Sequence, residues 1–67
     1  MYNRDLFEYM YSKGVNLRDI AFRYGVRESE MLKKFKAKIT QEQKYIYMEV
    51  IDDIYKWRLS QNKKVGD

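Results

Sequence analysis

The sequence predicts an all-α domain of four helices, the last of them long. Three observations predict it. Proline is absent and glycine stands only at 14, 25 and 66, so the segments between these points run without a helix breaker. Apolar residues recur at helical spacing in each segment instead of alternating. Side chains suited to helix N-caps, Asn3, Asn16 and Thr40, stand at the start of three of the segments. The stretch YIYMEV at 45–50 has the composition of a strand, but it lies inside a capped helical period and is read as helix.

The first helix is expected over 3–13. Asn3 serves as its N-cap and Asp5 lies in the first turn, where a carboxylate suits the helix dipole. Leu6, Phe7, Met10 and Tyr11 form its buried stripe, and Lys13 with Gly14 ends it. The second helix is expected over 17–24, capped by Asn16 with Asp19 returning the bond. Leu17, Ile20, Ala21 and Tyr24 make its apolar face, and Gly25 ends it with positive φ. Val26 is a turn residue tucked toward the core. The third helix is expected over 28–36, with Met31, Leu32 and Phe35 on its apolar side. The fourth is expected over 41–61, opened by Thr40 and Gln43 as a capping box. Ile46, Tyr47, Val50, Ile51, Ile54 and Trp57 cover one of its faces. Met48, Tyr55 and Leu59 form a second apolar stripe roughly 120° away by the helical period. Residues 62–67 make a frayed tail, the fraying beginning near Ser60.

The chain has 67 residues, enough for one hydrophobic core and therefore one domain, 1–67. It contains no Cys and no His. That removes disulfides, thiolate metal sites, a cysteine nucleophile and the commonest general base. Ser12, Ser29 and Ser60 have no imidazole to activate them, and Asp52 and Asp53 point about 100° apart on one helix, so they form no carboxylate pair. Glu49, Asp52 and Asp53 are read as a solvated face, with Asp52 four residues before Lys56. No enzyme, cofactor, metal or small-molecule substrate is expected. No apolar run approaches the roughly 20 residues of a membrane span, and MYNRDLFEYM lacks the order of a signal peptide, so a cytoplasmic protein with no membrane partner is expected. Fourteen Lys and Arg face ten Asp and Glu, a net charge of +4. Residues 33–44 carry five lysines (33, 34, 36, 38 and 44) against Glu42, a local excess as large as that of the whole chain. A mild basic excess with one concentrated patch suits a polyanion.

Residues 16–35 read NLRDIAFRYGVRESEMLKKF. Ala21 stands where two helices would approach most closely. Gly25 follows four residues later, Val26 plugs the turn, and Met31 and Phe35 recur at i and i+4 behind it. This segment resembles the helix-turn-helix of the Cro and repressor class of small phage and bacterial regulators, and the preceding helix agrees with the order of elements in that family. The resemblance implies a small helix-turn-helix domain that binds double-stranded DNA as a transcriptional regulator. The third helix would lie in the major groove. Carried over by position, Arg27, Glu28, Ser29 and Lys33 face base edges, Lys34, Lys36 and Lys38 meet phosphates, and Arg18 and Arg23 touch the flanking backbone. A homodimer is expected through the fourth helix, by Met48, Tyr55, Trp57 and Leu59. The sequence departs from the family where Arg27 replaces the usual Ser or Thr cap and where Glu28 and Glu30 occupy the end meant for DNA. One long helix also stands in place of two short ones. These departures, with tyrosines at 2, 9, 11, 45, 47 and 55, motivate an alternative: a module of the same shape that docks on a host or regulatory protein as an inhibitor or antirepressor.

Overall fold

A computed structural model describes residues 3–65, and it is all-α. Helix α1 spans Arg4–Ser12, α2 Leu17–Tyr24, α3 Glu28–Lys36 and α4 Gln41–Val65. The limits follow from local chemistry. Asn16 Oδ1 accepts from the Asp19 amide at 3.2 Å, and Asp19 Oδ2 accepts from the Asn16 amide at 3.0 Å, so the capping box at α2 is complete. Thr40 Oγ1 accepts from the Gln43 amide at 3.1 Å and opens α4. Helices α1 and α2 end alike. Gly14 and Gly25 are left-handed, at φ 68° and 70°. The amide of the following valine then reaches back to the carbonyl five residues earlier, Val15 to Met10 at 3.1 Å and Val26 to Ala21 at 3.0 Å. Val15 is buried as a result, a core residue absent from the helical stripes of the sequence.

Two ends differ from expectation. Helix α4 continues one turn past 61, to Val65, because nothing before Gly66 breaks it. Residues 66 and 67 of the expected frayed tail lie outside the described residues. Asn3 precedes α1, but its side chain does not cap that helix. Asn3 adopts φ 63° and is buried, and its Nδ2 donates to the carbonyls of Phe35 at 2.6 Å and Ala37 at 2.7 Å. It therefore closes the C-terminus of α3, where carbonyls lack helical partners. Asn3→Ala removes both bonds and replaces a residue type that tolerates left-handed backbone by one that does not. We expect it to cost about 1–3 kcal/mol by urea unfolding. Asn3→Gly loses the same bonds without the backbone strain and should recover about 1 kcal/mol of that loss. Equal stabilities for the two variants would remove the strain argument.

Helices α1, α2 and α3 pack against α4 between Lys44 and Arg58. Leu6, Met10, Val15, Ile20, Ala21, Met31, Phe35, Tyr47 and Ile51 are buried, with Phe7, Leu17 and Ile54 nearly so. Phe35 is the hub. Its ring meets Phe7 edge-on at 5.6 Å and Tyr47 at 4.9 Å between centroids. Tyr24 adds an edge contact to Tyr47 at 5.9 Å while half of it faces solvent, and burial, with Tyr47 adding to it, raises its phenol above the ordinary value. Tyr11 departs from the expected stripe. It is 60% exposed and only tilts over the edge of Phe7, because α1 turns Leu6 and Met10 toward the centre.

Helix α4 has 25 residues, roughly 37 Å at the helical rise, and sets the 43 Å long axis of the molecule. Its buried line is Tyr47, Ile51 and Ile54. Ile46 and Trp57, expected on that face, lie to one side of this line and are exposed. On the other side α4 meets α1. Tyr9 donates its hydroxyl to Asp52 Oδ1 at 2.5 Å, and that bond holds its phenol above the usual value, with burial adding to it. Lys13 Nζ lies 4.9 Å over the Tyr55 ring. The expected solvated carboxylate face is thus partly occupied, since Asp52 is half-buried on Tyr9 and Asp53 bonds Arg23 at 3.3 Å. Arg58, which the sequence did not single out, ties α4 to the α1–α2 corner. It donates to the Gly14 carbonyl at 2.6 Å and pairs with Asp19.

Candidate nucleic-acid interface

The α2–turn–α3 unit is built as its spacing implies. Ala21 is buried on α2, α2 packs on α3, and Met31 and Phe35 of α3 are buried in the same core. At Gly25 a Cβ would meet no atom within 4 Å, so the turn selects glycine by its left-handed backbone and not by lack of space. Arg27 precedes α3 in extended conformation and makes no capping bond, which leaves its side chain exposed at the corner. Phe35 and Met31, with Leu32 partly buried beside them, hold α3 down by one side, and the rest of the helix is exposed.

On that surface Arg27, Glu28, Ser29, Lys33, Lys34 and Lys36 are all exposed, and Lys38 follows just beyond the helix. Five cations, Arg27, Lys33, Lys34, Lys36 and Lys38, form no ion pair among the described residues. Glu28 is partly compensated by Arg18, whose Nε lies 3.7 Å from Oε1. Glu30 has no such partner among the described residues. The carboxylates occupy the first turn and the lysines the last, each at the end of the helix that favours its charge.

Three groups are placed differently from the sequence reading. Lys44 belongs to the basic run along the sequence, but it bonds Asp5 Oδ1 and Oδ2 at 3.2 and 3.3 Å and keeps only 17% of its side chain exposed. That bond holds the Asp5 carboxyl below the usual carboxylate range. Arg18 and Arg23, expected on the DNA backbone, are ion-paired to Glu28 and Asp53. The four residues of α4 expected to pair two copies divide. Met48 packs partly buried against the core and Tyr55 lies under Lys13, whereas Trp57 and Leu59 remain exposed.

The sequence reading passed over Phe22. It is 87% exposed, on the face of α2 opposite Ile20 and Ala21. The signal was present, since a large ring at this position falls outside the stripe of Leu17, Ile20, Ala21 and Tyr24. Phe22 forms one wall of a groove of about 410 Å³ between α2 and α4, with Ile54 and Trp57 opposite and Arg18, Arg23 and Arg58 around it. No residue of α3 lines it.

Among the described residues no helix is long and apolar enough to cross a membrane. No protein-family model, curated protein or solved structure matches the chain.

Proposed function

We propose that this chain is a small sequence-specific double-stranded DNA-binding protein, a transcriptional regulator that reads the major groove with α3. One observation carries the reading. A helix held by one edge after a left-handed glycine turn carries three exposed lysines, with Arg27 just before it and Lys38 just beyond it, and none of the five is ion-paired among the described residues. Lysines in the last turn and beyond give a sequence-independent attraction to phosphate, while Arg27 and Ser29 at the first turn have the chemistry to read base edges. Arg18 offsets Glu28 at that end, and Glu28 can accept from cytosine N4. Two copies would place α3 in successive major grooves about 34 Å apart. The reading assigns the chain no catalysis, cofactor or metal. The test is a gel-shift selection from random duplex DNA at two salt concentrations. A selected motif whose binding weakens steeply with salt is expected; no duplex retained at low salt ends the proposal.

A second reading, a helix-turn-helix-shaped module that docks on another protein, draws on the exposure of Phe22 and Trp57 and on Glu30 at the outward face of α3. It would be favoured by a complex that survives high salt and nuclease.

A further inference from the structure

We propose that the pocket between the end of α3 and the start of α4 binds one phosphate group, with Lys34 and Lys38 as its charges and the Tyr47 hydroxyl as its deepest donor. The pocket has a volume of about 320 Å³, and Lys34, Lys38, Ile39, Thr40, Gln43 and Tyr47 are among its walls. No carboxylate lines it. The phosphate can be one of a duplex backbone or a free one, since the chemistry that holds it is the same. In the first case the inference deepens the DNA reading and rests on it; in the second it stands alone.

Tyr47 is the group that points to a ligand. It is only 6% exposed, and its ring packs on Phe35 in the core. Among the described residues its hydroxyl makes no hydrogen bond. No side-chain oxygen or nitrogen among them is both sealed from solvent and without a partner, so this hydroxyl reaches the surface. Tyr47 meets the surface in this pocket. A phenylalanine would fill the core equally well, whereas a hydroxyl at a nearly buried position is costly unless something bonds it.

The groups around it are donors. Lys34 and Lys38 form no ion pair among the described residues. Thr40 Oγ1 accepts from the Gln43 amide, which leaves the Thr40 O–H free to donate. Helix α4 begins here and is 25 residues long, so the positive end of its dipole lies at the pocket. The loop that carries Lys38 is fixed from behind, because Asn3 Nδ2 donates to the Ala37 carbonyl at 2.7 Å. Donors that converge from a helix end, a loop and a buried ring suit an anion with oxygens on several sides of one centre. Phosphate has that form, and a carboxylate offers two oxygens in one plane.

Amide NMR spectra of the full chain with inorganic phosphate, at fixed ionic strength and with acetate as the comparison, test this. Resonances from Lys38 to Gln43 should shift saturably at millimolar phosphate, and acetate should bind about tenfold more weakly or less. Tyr47→Phe should weaken the phosphate response about fivefold. It should keep the urea midpoint of the wild type, because the hydroxyl has no internal partner. Lys38→Gln, at an exposed position, should weaken the response by a similar factor, whereas Lys56→Gln, an exposed lysine outside the pocket, should change it less than twofold. The same variants are titrated with a selected and a scrambled duplex. A loss of about fivefold on both duplexes for Tyr47→Phe, a change that removes no charge, identifies the backbone as the source of the phosphate. Duplex binding that ignores Tyr47→Phe, beside a weakened response to inorganic phosphate, identifies a free phosphate. Acetate binding as tightly as phosphate overturns the inference, as does a phosphate response that Tyr47→Phe and Lys38→Gln leave intact. So does the lack of any saturable phosphate shift when duplex is not bound or is bound regardless of Tyr47→Phe. A chain that takes phosphate but retains no duplex at low salt loses only the DNA reading. One that binds duplex with no phosphate shift and no effect of Tyr47→Phe loses only the pocket.

Discussion

Phe35→Ala should leave the chain largely unfolded at room temperature. Phe35 is fully buried, and its ring joins Phe7 from α1 to Tyr47 from α4 while anchoring α3 itself. Replacing a core phenylalanine by alanine costs about 3–5 kcal/mol, the lost transfer energy plus the cavity. A domain of 67 residues has about 3–10 kcal/mol of total stability at typical values per residue. The loss is therefore comparable with the whole. The cavity also cannot collapse easily, because three helices meet there and each is fixed elsewhere. Far-ultraviolet circular dichroism in a urea series measures the effect. Phe35→Leu, which keeps most of the volume, should stay folded with a lower midpoint. A Phe35→Ala protein that unfolds at the midpoint of the wild type would show that the aromatic centre is not what holds α3 in place.

Replacing Lys33, Lys34 and Lys36 together by Gln should abolish duplex binding at physiological salt and flatten its salt dependence. Each phosphate contact contributes about 0.9 to the slope of log K against log salt, so losing three should lower the slope by about 3. All three lysines are exposed and form no ion pair among the described residues, so the change should alter stability little. Arg27→Ala should behave differently. It should cost about 1–3 kcal/mol on the preferred sequence and much less on others, because a base-edge contact carries specificity and a phosphate contact does not. Titrations at four salt concentrations on a selected and a scrambled duplex separate the two effects. Binding whose salt slope ignores the triple substitution would place the nucleic-acid surface elsewhere or remove it.

Most of the helix limits were legible because they are decided within about five residues. The Asn16–Asp19 box, the Thr40 cap and the left-handed glycine before Val26 are all local, and the structure has them where their spacing indicates. Which residues lie on the outer side of α3 was legible for the same reason, since Met31 and Phe35 at i and i+4 determine the inner one. Asn3 shows where local reasoning stops. As the residue before a helix it has the right chemistry for a cap, yet its amide is used by carbonyls more than thirty positions away. Lys44 likewise belongs to a lysine run by sequence and to Asp5 by contact.

The sequence by itself determined the number and order of the helices, most of their ends, and the lysines of α3, because hydrogen bonds and dihedral preferences a few residues long suffice for these. Only the tertiary structure decided how α4 is rotated. That rotation placed Tyr47, Ile51 and Ile54 inside, gave Asp52 and Tyr55 to α1, and left Trp57 facing Phe22 across an open groove. A helix with apolar residues on two sides can bury either one. The choice falls to the helices that pack against it, through contacts that reach as far along the chain as Tyr9 to Asp52 and Gly14 to Arg58.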